Sequence, residues 1–162
     1  MKTFKLTLLS FAVAVAALNL GLPAQAATHD HHAAVPGKLA LSNGQKWATD
    51  QPLRAGMARI RDSVEQQLGA AHSGKLTPAD YQGLAAQVET EVAGIVANCK
   101  LEPEADAMLH LVIADLAEGA DTMAGKNPKL RRAQGLVKVA QAVNHYGSHF
   151  DDPGFRPIRN VH

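Results

Sequence analysis

Four segments of the chain carry apolar residues at helical spacing. Over residues 51–72, 77–99, 103–124 and 127–148, apolar residues recur every three or four positions. This spacing places them on one face of an α-helix. The apolar faces comprise Leu53, Met57, Ile60, Val64 and Leu68; Tyr81, Leu84, Val88, Val92, Ile95 and Cys99; Ala105, Leu109, Val112, Leu116, Ala120 and Met123; and Leu130, Ala133, Val137, Ala140 and Val143, widened by Leu136 and Val139. The pattern predicts four amphipathic helices.

Residues typical of helix starts precede each segment. Thr49 or Asp50 can cap the first helix, and Thr77-Pro78-Ala79-Asp80 supplies a hydroxyl at the N-cap and a carboxylate three residues later. Pro103 and Asn127-Pro128 begin the third and fourth helices. Because the connections are short, neighbouring helices should be antiparallel. No segment alternates polar and apolar residues as a strand does. The sequence therefore predicts an all-α, up-down-up-down four-helix bundle.

The first 26 residues have the pattern of an export signal. Lys2 and Lys5 precede an apolar run over residues 6–18, which is too short to span a bilayer. Ala24-Gln25-Ala26 is the small-x-small pattern at which signal peptidase cuts. We expect a cleaved Sec-type signal peptide at 1–26 and a periplasmic protein with no membrane segment after cleavage.

The mature chain then divides into three parts. Residues 27–50 are rich in small and polar residues and predict a flexible, histidine-containing arm. The bundle occupies 51–150, and Pro153-Gly154 stops the last helix ahead of a C-terminal tail at 151–162. The helices also carry glycine and alanine, which allow either close helix contact or a cofactor cavity; the sequence leaves this choice open.

Charge and cysteine content exclude several classes of protein. The formal net charge is +1, and loss of the signal's two lysines makes it −1, so no basic surface for nucleic acid is expected. The single cysteine excludes an intramolecular disulfide. The sequence holds no G-x-S-x-G, H-E-x-x-H or phosphate-binding loop, and no glutamate precedes a histidine by three residues. We therefore expect a protein that is not an enzyme.

Histidines provide the strongest candidate chemistry. Cleavage after Ala26 would make Ala27 the amino terminus and His29 its third residue, an arrangement that suits square-planar Cu²⁺ or Ni²⁺. His31 and His32 follow directly. This tract predicts a transition-metal site, with copper favoured; the alternative is a polar leader whose histidines bind nothing.

A second histidine pair lies near the end of the fourth predicted helix. His145 and His149 are four residues apart and so share a helix face. Asp151 and Asp152 could complete a metal site, since two ligands alone are too few for zinc. The alternative is that both imidazoles face water and interact with the helix dipole.

The predicted core contains further metal-ligand types. His110 lies beside the apolar face of the third helix, and Cys99 and the methionines Met57, Met108 and Met123 are soft donors that could hold Cu⁺ with it. The alternative is that these residues are packing residues and His110 a boundary histidine. Non-covalent haem is a further possibility, although the C-x-x-C-H attachment motif is absent.

Aromatic residues beside charged ones lie just outside the helices. Trp47 precedes the first helix, and Phe150 and Phe155 follow the last. Such residues are enriched in protein interfaces, so they are candidates for contact with an unidentified periplasmic partner. The alternative is that they cover the open ends of the bundle.

Three segments, at 41–61, 98–123 and 146–155, are similar to a group of small exported proteobacterial proteins labelled DnrO-like, after nitrate-respiration regulators. The resemblance implies export, a helical bundle and a role near nitrogen-oxide or metal stress. The sequence as a whole predicts a non-enzymatic periplasmic binding protein for a transition metal. The alternatives are a structural or protein-interaction bundle without a cofactor, and a haem-binding bundle.

Overall fold

A computed structural model describes residues 37–161 as four α-helices. They are α1 (Gln51–His72), α2 (Pro78–Asn98), α3 (Pro103–Ala124) and α4 (Arg132–His149). Within residues 37–161, β-structure amounts to two isolated bridges, Ser42 with Gln45 and Trp47 with Phe150. The predicted all-α class with four helices is confirmed. None of the described helices is long and apolar enough to cross a membrane.

Side-chain caps start the first two helices where the sequence predicts. The Leu53 N–H donates to Asp50 Oδ1 at 2.9 Å, so Asp50 rather than Thr49 caps α1. Thr77 and Asp80 form a reciprocal capping box on α2. Hydrogen bonds from the backbone and then the side chain of Thr77 lower the pKa of Asp80.

The fourth helix begins later than predicted. Asn127 heads a turn in which its Oδ1 accepts from Lys129 N at 3.1 Å and its carbonyl from Leu130 N at 3.2 Å. These local bonds compete with helix formation, which is a known property of asparagine. Leu130 is 39% exposed, not in the core, and α4 starts at Arg132.

The buried face of α4 is also rotated about the helix axis relative to the predicted apolar face. Leu136 and Val139, predicted at the margin of the face, are completely buried, whereas Val137 is only half-buried. The residues of α4 that enter the core are Gly135, Leu136, Val139, Ala140, Ala142, Val143, Tyr146 and Gly147. Core positions on the other three helices follow the prediction closely.

Glycines bring α3 and α4 into backbone contact. A Cβ on Gly135 would lie 2.6 Å from Met123 N, and one on Gly119 would lie 3.0 Å from Gly135 O. Such distances leave no room for a side chain. Consecutive helices pack against each other, α4 also packs against α1, and the contact between α3 and α4 is the most extensive. This glycine pair therefore serves close helix contact.

The segments flanking the helices are bound to them. Trp47 N donates to His149 O, and Asp151 N donates to Trp47 O, both at 2.8 Å. Ile158 is buried, and Asn144 both accepts from its N–H and donates to its carbonyl. Backbone pairing therefore holds part of residues 37–50, the described portion of the arm predicted to be flexible, and pairing together with burial of Ile158 holds the C-terminal tail.

Candidate functional site

The first candidate metal ligands, His29, His31 and His32, lie outside the described residues, as does the predicted signal peptide. The remaining candidates can be placed. Across residues 37–161, no group of three or more His, Cys, Asp or Glu side chains comes together in a way that could hold a metal ion.

His145 and His149 project from the last turns of α4. His145 is exposed and His149 half-buried. The Nδ1 of His149 lies 2.8 Å from the carbonyl oxygen of His145. Asp152, suggested as a third ligand, instead accepts from Tyr146 Oη at 3.1 Å and from Gly154 N at 3.0 Å. Its carboxylate is therefore committed to the turn after α4.

His110 faces solvent on α3. Its Nδ1 lies 2.8 Å from the carbonyl oxygen of Asp106 and 3.4 Å from that residue's Oδ2. The proposed partners in a Cu⁺ site are elsewhere: the three methionines are buried in the core, and Cys99 is the half-buried C-cap of α2. Burial, followed by the charges of Asp50 and Asp106, raises the pKa of the Cys99 thiol. His110 is thus exposed, whereas the three methionines are buried and Cys99 is half-buried.

Two of the three aromatic candidates, Phe150 and Phe155, pack against Tyr146. Phe150 is completely buried and its ring stacks on Tyr146, with centroids 5.3 Å apart. Phe155 meets Tyr146 edge-on at 5.8 Å. Trp47 Nε1 donates to Ala40 O at 2.7 Å. Phe150 is therefore a core residue, a correction to its candidate role on the surface, while Trp47 and Phe155 remain half-buried.

Burial raises the pKa of Tyr146 above its ordinary value, and the negative charge of Asp152 adds to this effect. The phenol thus stays protonated and donates to Asp152, which fixes the turn after α4.

An open groove of about 690 Å³ lies at this end of the molecule, between the start of α1 and the segment after α4. We call it the end groove. Its lining residues are Ala48, Thr49, Gln51, Arg54, Ala55, Ala58, Arg61, Asp62, Asp151, Asp152, Pro153, Gly154, Phe155 and Arg156. Apolar surface from alanines and Phe155 is thus surrounded by charges of both signs.

Arg61 forms the fixed part of the groove wall. It is 8% exposed although it is charged. Its Nε donates to Arg156 O at 2.7 Å, and its other nitrogens pair with Asp62 and with Glu65 at 2.6 Å. A buried guanidinium needs such partners. Arg61 thereby ties the C-terminal segment to α1.

Other charged groups of the groove face solvent. Arg156 and Asp151 are exposed, and Arg54 is half-buried. One nitrogen of Arg54 donates to Thr49 O at 2.8 Å and to Thr49 Oγ1 at 3.0 Å. The groove therefore offers cations and a carboxylate on a positioned frame.

Sequence reasoning noted the arginines of α1 but missed the groove. Arg61 lies four residues after Met57 and one after Ile60, both buried. A charged residue on the apolar face of a helix, with an oppositely charged residue four positions later, is a sequence signal that could have identified Arg61 as a buried, paired arginine. No sequence pattern predicted that residues 151–156 lie against the start of α1.

Comparisons assign the chain to no family: no family model, no curated protein and no solved structure matches it significantly.

Proposed function

We propose that this protein is a non-enzymatic, exported binding protein that recognises a partner protein through the end groove. The observation that carries the proposal is the groove itself, in which exposed Arg156 and Asp151 flank the half-buried Phe155. Arginine and aromatic side chains are enriched at interfaces, and a groove of mixed charge favours a partner segment of complementary mixed charge.

The walls of the groove are held before any partner arrives. Thr49 Oγ1 donates to Asp151 O at 2.6 Å, and Arg61 holds the carbonyl of Arg156. Residues about 100 positions apart in sequence thus form one surface. Preorganisation of this kind lowers the entropic cost of binding.

We further infer an up-down-up-down order of the helices. The segment before α1 pairs with the end of α4 through Trp47 and His149, and Asp50 also accepts from Lys100 N at 2.6 Å between α2 and α3. Both contacts support antiparallel neighbours. Export and periplasmic location belong to the same proposal, on the strength of the signal-like residues 1–26.

Photo-crosslinking in intact cells tests the partner proposal. Ala58 is exposed and lines the groove, so a photoreactive amino acid at this position should give a discrete protein adduct. Ala79, exposed in the first turn of α2, is the matched control position and should not give it. Adding Arg156→Ala should weaken the adduct about fivefold, because arginine is enriched among the residues that contribute most to binding at interfaces. The same adducts from both positions, unaffected by Arg156→Ala, would contradict the proposal.

Metal binding is the second candidate function, and one observation favours it. The Nδ1 atoms of His110 and His149 each lie 2.8 Å from a backbone carbonyl oxygen. A carbonyl only accepts, so the neutral tautomer that suits each contact carries its proton on Nδ1, and in that tautomer Nε2 is the nitrogen that could bind a metal.

Metal analysis of protein purified without an affinity tag tests this candidate. We expect copper near stoichiometry, with loss of at least half in His145→Ala/His149→Ala and no loss in His72→Ala. Substoichiometric metal, or metal content unchanged in the double variant, would exclude the α4 histidines. An absorbance spectrum of the same sample tests the haem alternative, because bound haem gives a Soret band.

A further inference from the structure

A second groove, of about 390 Å³, lies between the last turns of α1 and the first half of α4. We call it the α1–α4 groove. It lies where these two helices meet, a contact less extensive than that between α3 and α4. The residues that form its apolar part are Leu68, Ala71, Ala133, Leu136 and Val137.

The apolar part of this groove is continuous with the core. Leu68 and Leu136 are core residues, while Ala71, Ala133 and Val137 are half-buried. Small alanine side chains on both helices leave a trough above the leucines. The groove as a whole, from Ala133 to Gln141, is about 12 Å long at the helical rise per residue. Elongated apolar troughs with few polar groups are typical of small-ligand sites.

The charged residues that line the trough are basic. Arg131 and Lys138 line it, together with His72, and no acidic residue is among the groove's lining residues in the described chain. Lys138 Nζ is shared with Asp115 at 3.1 Å and Glu118 at 3.0 Å, so its charge is largely compensated. Arg131 is exposed at the mouth of the groove.

The turn before α4 strengthens this cationic mouth. Lys129 and Arg131 flank Leu130, one of the three large hydrophobic residues that are exposed among residues 37–161. Of these three residues Arg131 lines the groove, and the other two precede it in the chain. An apolar groove with a cation at one end is complementary to a molecule with an apolar chain and an anionic head.

We propose that the α1–α4 groove binds a medium-chain fatty acid. The acyl chain lies along Ala71, Ala133 and Val137, and the carboxylate meets Arg131 at the mouth, with Lys129 adding positive potential. This proposal is independent of the end groove, because the two grooves share no lining residue.

Calorimetric titration of the full mature chain with decanoate, below its micelle concentration, tests the proposal. We expect saturable binding at one molecule per chain. Decylamine, which has the same chain length and the opposite charge, should bind at least about tenfold more weakly. Equal binding of decanoate and decylamine, or uptake of many molecules without saturation, would overturn the proposal.

Two variants locate the site. Ala133→Leu fills the trough and should weaken decanoate binding at least about tenfold, while Ala79→Leu, at an exposed site on α2, should leave it unchanged. Arg131→Gln removes the exposed charge but keeps a polar side chain at the N-cap of α4; it should weaken binding about fivefold and reduce its salt dependence. Thermal melts of each variant control for folding. Unchanged binding in both groove variants, or a concentration-dependent dimer that Ala133→Leu abolishes, would overturn the proposal; the latter would assign the groove to a second copy of the chain.

Discussion

Single residues in this protein hold together parts of the chain that are distant in sequence. Asp50 caps α1 with Oδ1 and accepts from Lys100 N with Oδ2. Arg61 likewise joins α1 to the C-terminal segment. Capping by Asp50 was predictable because an N-cap acts on the next three residues. Its second hydrogen bond was not, because it depends on where the connection between α2 and α3 lies.

We expect Asp50→Ala to destabilise the protein by about 1–2 kcal/mol, since it removes the α1 cap together with the bond to Lys100. Urea denaturation measures the effect. Thr77→Ala, which removes only the local capping box of α2, is the comparison and should cost about 1 kcal/mol. A midpoint for Asp50→Ala equal to that of the unmodified protein would show that water replaces both hydrogen bonds without loss.

Elements differ in how far sequence periodicity predicts them. The first and last residues of α1 and α3 agree with the predicted segments. In both helices the capping residues and the periodic apolar face indicate the same limits. The start of α4 does not, because Asn127 makes a turn that periodicity ignores. The burial pattern of α4 shifts toward Leu136 and Val139, since its face is set by close contact with α3.

The close contact between α3 and α4 leads to a prediction about stability. Gly135→Ala places a methyl group against the backbone of α3 and should destabilise the protein by about 1–3 kcal/mol, despite the higher helix propensity of alanine. Gly83→Ala on α2 is the matched control, because a Cβ there meets nothing within 4 Å. It should stabilise by about 0.5–1 kcal/mol. Equal melting temperatures for the two variants would show that α3 and α4 separate at little cost.

In the molecule as a whole, the chain's flanking segments complete one end of the helices. Residues 37–50 and 151–161 meet where Asp151 N donates to Trp47 O, and the end groove forms where they join α1. The α1–α4 groove arises differently, from small side chains at a loose helix contact. Both surfaces are proposed binding sites, and both combine residues that lie far apart in the sequence.

By itself the sequence determined four helices, most of their limits and most of their core residues. These depend on interactions within a few residues and on burial of one periodic face. Tertiary structure decided that Phe150 is core, that Arg61 is buried with partners, and that residues 37–50 are bound to the bundle. It also decided where the two grooves lie. The physical reason is that these features depend on contacts between residues tens of positions apart, and such contacts leave no periodic signal in the sequence.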